Sequence, residues 1–434
     1  MTDRVLENVA VPSLDDDTLY TVAVSGGRFE SVEPTGRPPA GGEMELWPAF
    51  TETHTHLSLP CNWDETRDDP RLIALQYLYY GIGRIVDLFG FPVAAEAWEA
   101  GKAASPWPYP EVAHCGYAVT AMGDGNGTYG HGVEFPTPVH MAAVPGDVDT
   151  AIDSNEKRGA TFLKVVYTEG AEHGGKPIRF TRIEERILEH AVRAAAERGM
   201  LSIVDCNTRE ETFHAYERGY RLFAHSVRDV DLSDADWDRL DGARFVSTLA
   251  GLRPMILTGA QFEEAYSRPG FAETQDPANL EFAKTIDEPF GIKLNLQEVR
   301  TASVGAMRRN ALAALDRGRL LVGSDAGNIG AFHAWSLASE LEHLAGGDPG
   351  LRRGLMAAAT VTGWHYFNEM AGLPAREHPV AAGEAATFNL FEPESPPGSL
   401  PAQSVVRGTI LDRDALAGEI ARIRQSETKG KAVL

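Results

Sequence analysis

Between about residue 50 and residue 370, short apolar runs alternate with helical patterns, and this alternation predicts β–α units around a parallel sheet. Eight runs read as strands: AFTETHTHL, GRIVDLFG, EVAHCGYAVT, ATFLKVVYTEG, MLSIVDCNT, YRLFAHS, ARFVSTLAG and RLLVGSDAGN. Eight is the number a closed (β/α)8 TIM barrel needs. The helices between them carry start and stop signals. Thr181 with Glu184 fits a capping box, Ile183, Ile187, Leu188 and Ala191 follow as an apolar stripe, and Gly199 ends it. Thr208 with Glu211 repeats the device, and Gly219 closes it. The stretch from about 251 to 300 is long and irregular. It reads as an insertion between strands seven and eight and a candidate lid.

Both ends of the chain have a different texture. VLENVAV, LYTVAV and RFESVEP are short strands parted by Asp-rich or Gly-Gly turns, and TGRPPAGGE is a loop. EAATFNLFEP and QSVVRGTI return to strand patterns, and ALAGEIARIRQ is an amphipathic tail. The expected fold class is therefore α/β: a (β/α)8 barrel over 50–375, with a small β-sandwich domain built from residues 1–49 and 376–434.

Composition narrows the function. At 434 residues, 43% hydrophobic and 24% charged, the chain is an ordinary globular one, which excludes disorder, collagen and a membrane bundle. No run approaches the roughly 18 apolar residues of a spanning helix, and MTDRVLENVA lacks the basic head and apolar core of a signal peptide. The net charge of −22 argues against nucleic acid and anionic membranes as partners. It does not exclude an anionic small molecule. Cys61, Cys115 and Cys206 are odd in number and form no CxxC, so no disulfide framework is expected and a reducing cytoplasm is the default.

Five of the eight strands end in a potential metal ligand: His54 and His56, Lys164, Asp205, His225 and Asp325. In a (β/α)8 barrel these ends converge at one mouth. His54 and His56 are two apart, so on a strand they point the same way and can grip one divalent ion. An isolated HxH is a weak signal, and an isolated lysine is more often salt-bridged than ligating. Their coincidence with His225 and Asp325 on later strand ends carries the metal reading. Asp87 ends strand two and is expected to orient its neighbours. GDGNGTYG precedes no helix, so a phosphate cradle is disfavoured. It reads as a loop after strand three that brings Tyr129 or His131 towards the pocket. Tyr77, Tyr79 and Tyr80 read as packing or a subunit contact.

The segments WPAFTETHTHL, GATFLKVV, FAHS, GSDAGNIGAFHAWSLASELEHL and LMAAATVTGWHYF together resemble the amidohydrolase superfamily, in its imidazolonepropionase-like and prolidase-like branch. The resemblance spans nearly the whole chain. It implies that His54 and His56 bind a first metal, that Lys164 is carbamylated and bridges two ions, and that His225 binds the second. It also implies that Asp325 binds metal and takes the proton of the attacking water, and that His333 touches substrate. The metal would be Zn²⁺, with Mn²⁺ or Fe²⁺ as alternatives, and one or two ions per chain. A homo-oligomer would be in keeping.

The chain departs from the family pattern at strand five, where Asp205 stands in place of histidine. Asp205 can be an oxygen ligand favouring a harder ion, the second metal can be weak or absent, or the site can have turned to non-hydrolytic chemistry. Glu52 for the usual Asp and Ala49 for the usual Gly are lesser departures. The expected activity is hydrolysis of an amide, lactam or other cyclic C–N bond in a small molecule, outside peptide bonds. The alternative on the same scaffold is a lyase, decarboxylase, dehydratase or isomerase.

Overall fold

The strand-rich ends of the chain meet in one sheet. In the computed structural model, which describes residues 3–59, 69–122, 138–168, 172–173, 176–177, 181–257, 259–284, 297–328 and 330–431, four strands come from the N-terminal end. They are β1 (Arg4–Val11), β2 (Asp15–Ser25), β3 (Arg28–Pro34) and β4 (Glu45–Pro48). Three more come from the C-terminal end. Counting the intervening strands given below, they are β17 (Phe388–Phe391), β18 (Gln403–Val406) and β19 (Thr409–Leu411). Among the described residues they form one sheet in the order β19-β18-β17-β4-β1-β2-β3. The join is antiparallel, β17 on β4, with Asn389 opposite Trp47. Its apolar side has its own core, in which Leu6, Val22, Val24, Phe29, Leu46, Phe388 and Leu390 are buried together.

The middle of the chain builds parallel strands. One sheet holds β5 (Phe50–Thr55), β6 (Ile82–Asp87) and β7 (Glu111–His114). A second holds β8 (Ala118–Ala121), β9 (Val139–Ala142), β10 (Phe162–Val166), β13 (Leu201–Asp205), β14 (Leu222–Phe223), β15 (Arg244–Val246) and β16 (Leu320–Leu321), in the order β16-β15-β14-β13-β10-β8-β9. A separate hairpin pairs β11 (Glu172–His173) with β12 (Lys176–Pro177). The three-stranded sheet is joined to the larger one along both of its edges. Thr161 N–H donates to the His114 carbonyl at 3.0 Å, beside the end of β7. Beyond β16 the chain runs along β5, where Asp325 N–H donates to the His54 carbonyl (2.8 Å) and His56 N–H to the Ala326 carbonyl (2.8 Å).

Side chains from eight of these strands share one interior cluster: Val86, Ala113, Ala118, Phe162, Ile203, Leu222, Val246 and Leu321, closed off by Tyr366, Phe367 and Met370 of the helix Gly363–Met370. Helices line the outer faces, and the C-terminal helix Arg413–Lys431 packs against the helix Pro70–Tyr79. No described helix is long and apolar enough to cross a membrane.

Several local expectations change. EVAHCGYAVT is two strands, because Gly116 takes φ +67° and packs so closely on the Asn155 side chain that a Cβ would lie 2.8 Å from its Oδ1. The Thr181–Glu184 capping box does not form: Glu184 is itself the cap residue of the helix Glu185–Glu197 and makes no side-chain cap bond. The Thr208–Glu211 box does form. RLLVGSDAGN is a strand over Leu320–Leu321, after which it turns. The stretch 249–284 carries the helices Leu249–Leu252, Gly259–Tyr266, Phe271–Thr274 and Pro277–Lys284 and a 3-10 turn at Arg253–Ile256. Part of it is fastened to the loop beyond β16: Tyr266 stacks on Trp335 with ring centroids 4.8 Å apart, and Gln275 Nε2 donates to the His333 carbonyl at 3.1 Å. Tyr77, Tyr79 and Tyr80 are all buried, and the Tyr77 hydroxyl is 2.9 Å from that of Thr55.

The terminal sheet depends on its aromatic pair. Phe388 is fully buried and meets Phe29 at 5.6 Å between centroids. Phe388→Ala is expected to cost about 3–5 kcal/mol through lost burial and a residual cavity. The check is the denaturant midpoint against that of wild type.

Candidate metal centre

The end of β5, the middle of β10, the end of β13 and the segments beyond β14 and β16 bring six of the expected residues to one place, so Lys164 lies within its strand and not at its end. His54, His56, Lys164, Asp205 and His225 are all buried there, and Asp325 stands at φ +58°. His54, His56 and Asp325 form a group whose ligand atoms all lie within 4.8 Å of one another. His54 Nε2 is 3.1 Å from Asp325 Oδ1, and His56 Nε2 is 3.0 Å from the same oxygen.

The histidine tautomers follow from what the other ring nitrogens do. His54 Nδ1 is 2.8 Å from the Ala224 carbonyl, and His56 Nδ1 is 3.2 Å from the Phe89 carbonyl. A carbonyl only accepts, so each Nδ1 carries the proton and donates it. Burial pushes His54 down to about 3 and His56 in the same direction, although Asp325 opposes the shift. Both rings are therefore neutral at pH 7 and present a lone pair at Nε2. Burial alone would raise the Asp325 carboxyl, and only positive charge at this point holds it below its ordinary value. Two imidazole lone pairs and a carboxylate oxygen thus face one another in a buried space. That arrangement is repulsive unless a cation lies among them, and neutral histidines with an ionised carboxylate are the donor set a divalent metal requires. The three residues fit a metal on this ground, with the Nδ1–H bonds acting as the outer contacts that orient ligating imidazoles.

Asp205, Lys164 and His225 make a second group. Asp205 Oδ2 is 3.3 Å from Lys164 Nζ and 3.3 Å from His225 Nε2. Lys164 Nζ also lies 4.6 Å from the centre of the Phe89 ring. His225 Nδ1 is bonded to the Thr248 hydroxyl at 2.8 Å. Burial works against the Asp205 carboxylate, but His225 and Lys164 hold its pKa below the ordinary value. Lys164 Nζ and Asp205 Oδ1 are buried with no hydrogen-bond partner among the described residues. His333 is 1% exposed, before the helix Trp335–Ala345, with its ring 6.2 Å from that of Tyr77. Neither of its ring nitrogens makes a hydrogen bond of ordinary geometry to a described residue. Tyr129, His131 and Cys61 lie outside the described residues.

Several residues around the centre have no signal in the chain's periodicity. Glu52 accepts from His54 N–H (3.1 Å), Ser324 N–H (2.9 Å) and the Ser324 hydroxyl (2.6 Å), so it ties together the segments that carry His54 and Asp325. Burial pushes it up to about 8, with Ser324 and the His54 amide opposing. Burial likewise pushes Asp87 up to about 7, partly offset by the Leu57 and Phe89 amides. Two glycines permit the close approach. A Cβ on Gly327 (φ +101°) would lie 2.5 Å from the His56 carbonyl oxygen, and one on Gly251 would lie 2.7 Å from Asp325 Oδ2. Glu52 neighbours the HxH pair in sequence, so it was findable. Phe89, Thr248 and Gly251 were not, because only folding brings them to the ligands.

No protein-family model matches the chain, and no curated protein matches it by sequence. Solved structures do match. A bottromycin amidohydrolase shares 19% identity at a TM-score of 0.67, over 97% of this chain and 90% of that one. A Xaa-Pro dipeptidase with bound methionine in its active site shares 13% at 0.66, over 94% and 98%. A putative prolidase from Bifidobacterium longum shares 18% at 0.61, over 93% and 94%. These are amidohydrolase-family structures, and this chain shares their fold.

Gly251→Ala is expected to push Asp325 out of the group while leaving the fold intact. Zinc affinity measured by chelator competition falls, and the thermal midpoint of the metal-free protein moves little. His333 gives a pH test. Burial lowers it to about 4, against about 6.5 in an unfolded chain. Between those values only the unfolded chain binds the proton, so stability falls as pH drops from about 6.5 towards 4. His333→Gln is expected to flatten that fall in denaturant midpoints taken at intervals across the window.

Proposed function

We propose that this protein is a metal-dependent hydrolase of the amidohydrolase superfamily, cleaving an amide, lactam or other cyclic C–N bond in a small molecule. The observation that carries the reading is the buried convergence of the His54 and His56 lone pairs on Asp325 Oδ1. The two parallel sheets are, in this reading, parts of one (β/α)8 barrel over 50–375. Residues 1–49 and 376–434 form the accessory β domain. The bonds at both edges of the three-stranded sheet and the shared interior cluster support it.

His54, His56 and Asp325 would hold the first divalent cation, Zn²⁺ before Mn²⁺ or Fe²⁺. His225, Asp205 and a carbamate on Lys164 would hold a second. A cation bound there supplies Lewis acidity, lowering the pKa of water and drawing charge from the scissile carbonyl. Asp325 accepts the proton of the attacking water and passes it to the leaving nitrogen. His333, neutral at pH 7, bonds the substrate. Phe89 and the strand ends keep bulk water from the ligands. One neighbour is a Xaa-Pro dipeptidase, so a restriction to bonds other than peptide bonds has no support from the fold, and peptide-like amides belong among the substrates to test. The buried free thiols of Cys115 and Cys206 suit a cytoplasmic setting.

A lyase, decarboxylase, dehydratase or isomerase is the second reading. The Lys164–Asp205 pair at 3.3 Å favours it, because a charge-paired lysine leaves the second ligand set incomplete.

The test is metal content per chain on protein purified without chelator, with native intact mass to detect a carboxylated Lys164. Two ions and a mass gain of one CO2 support the binuclear hydrolase. One ion and an unmodified lysine favour the second reading, and Asp205→His is then expected to raise occupancy towards two. No uptake of Zn²⁺ or Mn²⁺ overturns the metalloenzyme reading.

A further inference from the structure

We propose that Glu340 is a positioning residue of the metal centre, acting through the turn 247–251 on His225 and Asp325. This deepens the reading above and rests on it. Glu340 is fully buried on the helix Trp335–Ala345. Its Oε1 accepts from Leu249 N–H at 3.0 Å and its Oε2 from Ala250 N–H at 2.7 Å. The Ser247 side chain bonds to the same carboxylate.

The amides of Leu249 and Ala250 open the short helix Leu249–Leu252, and such first-turn N–H groups have no partner within a helix. A threonine at the cap position ordinarily satisfies one such group, the second or third, with its own hydroxyl. Thr248 occupies that position and does not. It stands at φ 55°, ψ 31°, in the left-handed region that a β-branched residue rarely adopts, and makes no cap bond. Its hydroxyl is instead 2.8 Å from His225 Nδ1. Glu340 does the capping from another helix, and this releases Thr248 to orient the histidine. The same turn is pinned to the ligand-bearing segment: Ser247 N–H donates to the Leu321 carbonyl (3.0 Å) and Thr248 N–H to that of Gly323 (3.1 Å). Three residues beyond Thr248, Gly251 lies against Asp325, with room for no Cβ between them. One carboxylate thus fixes the backbone of a turn that touches a ligand of each proposed ion.

The test compares wild type with Glu340→Gln, Thr248→Val and the double variant. Zinc affinity is read by chelator competition and fold by the thermal midpoint of the metal-free protein. Glu340→Gln is expected to weaken zinc binding about 10- to 100-fold, as loss of an outer contact does. The double variant is expected to be no weaker than the poorer single, because both changes break one chain of contacts. Unchanged affinity in Glu340→Gln, or losses that multiply in the double variant, would overturn the proposal. Should Glu340→Gln fail to fold, Glu340→Asp keeps the charge and shortens the reach, with the same expectation. If wild type itself takes up no zinc, the metal reading fails separately. The positioning role is then read from the His225 ring nitrogens by 15N NMR. A shift in Glu340→Gln matching that in Thr248→Val supports it, and an unmoved signal overturns it.

Discussion

Two neutral imidazoles and a carboxylate that turn lone pairs towards one buried point repel one another, and the rest of the site is built to hold them there. The tautomers are decided outside the ligands. The Ala224 and Phe89 carbonyls each take the Nδ1 proton of a histidine, and this leaves Nε2 bare on both rings. Those carbonyls sit just beyond β14 and β6, so the packing of neighbouring strands sets the electronic state of the pair. Burial then keeps the rings neutral, since a charged imidazole would lose its hydration without gaining enough from Asp325.

A layer of buried carboxylates holds the backbone beneath His54, His225 and Asp325. Glu52 bonds the amides of His54 and Ser324, and Glu340 bonds those of Leu249 and Ala250. Burial lifts both groups, to about 8 and about 7, while the amides and the Ser324 and Ser247 side chains pull the other way. Each carboxylate joins segments far apart in the chain. The terminal sheet keeps a separate apolar core, and none of the proposed ligands comes from it.

Where a structural signal was local, the chain was readable. The Thr208–Glu211 box needs only four neighbouring residues, and it forms. The parallel strands were visible as apolar runs, and the ligand types at their ends stood out because polar residues closing buried strands call for an explanation. Local reading failed where a distant group intervened. EVAHCGYAVT looks like one strand until the Asn155 side chain, bonded to both the amide and the carbonyl of Tyr117, holds the kink beside Gly116. Thr181 and Glu184 have the right spacing for a box, but the helix starts one residue past Glu184, which moves both out of register.

The sequence by itself determined which residue types could serve as ligands and that they fall in or just past short apolar runs. These are properties of residue type and short-range period, which survive without knowing any partner. Only the tertiary structure decided that Asp325 stands 3.0–3.1 Å from both histidines, that Asp205 lies between Lys164 and His225, and that Thr248 caps a histidine in place of its own helix. The reason is physical. Tautomer, charge state and reach are set by carbonyls, glycines and carboxylates on other elements, and those meet the ligands only once the strands lie side by side.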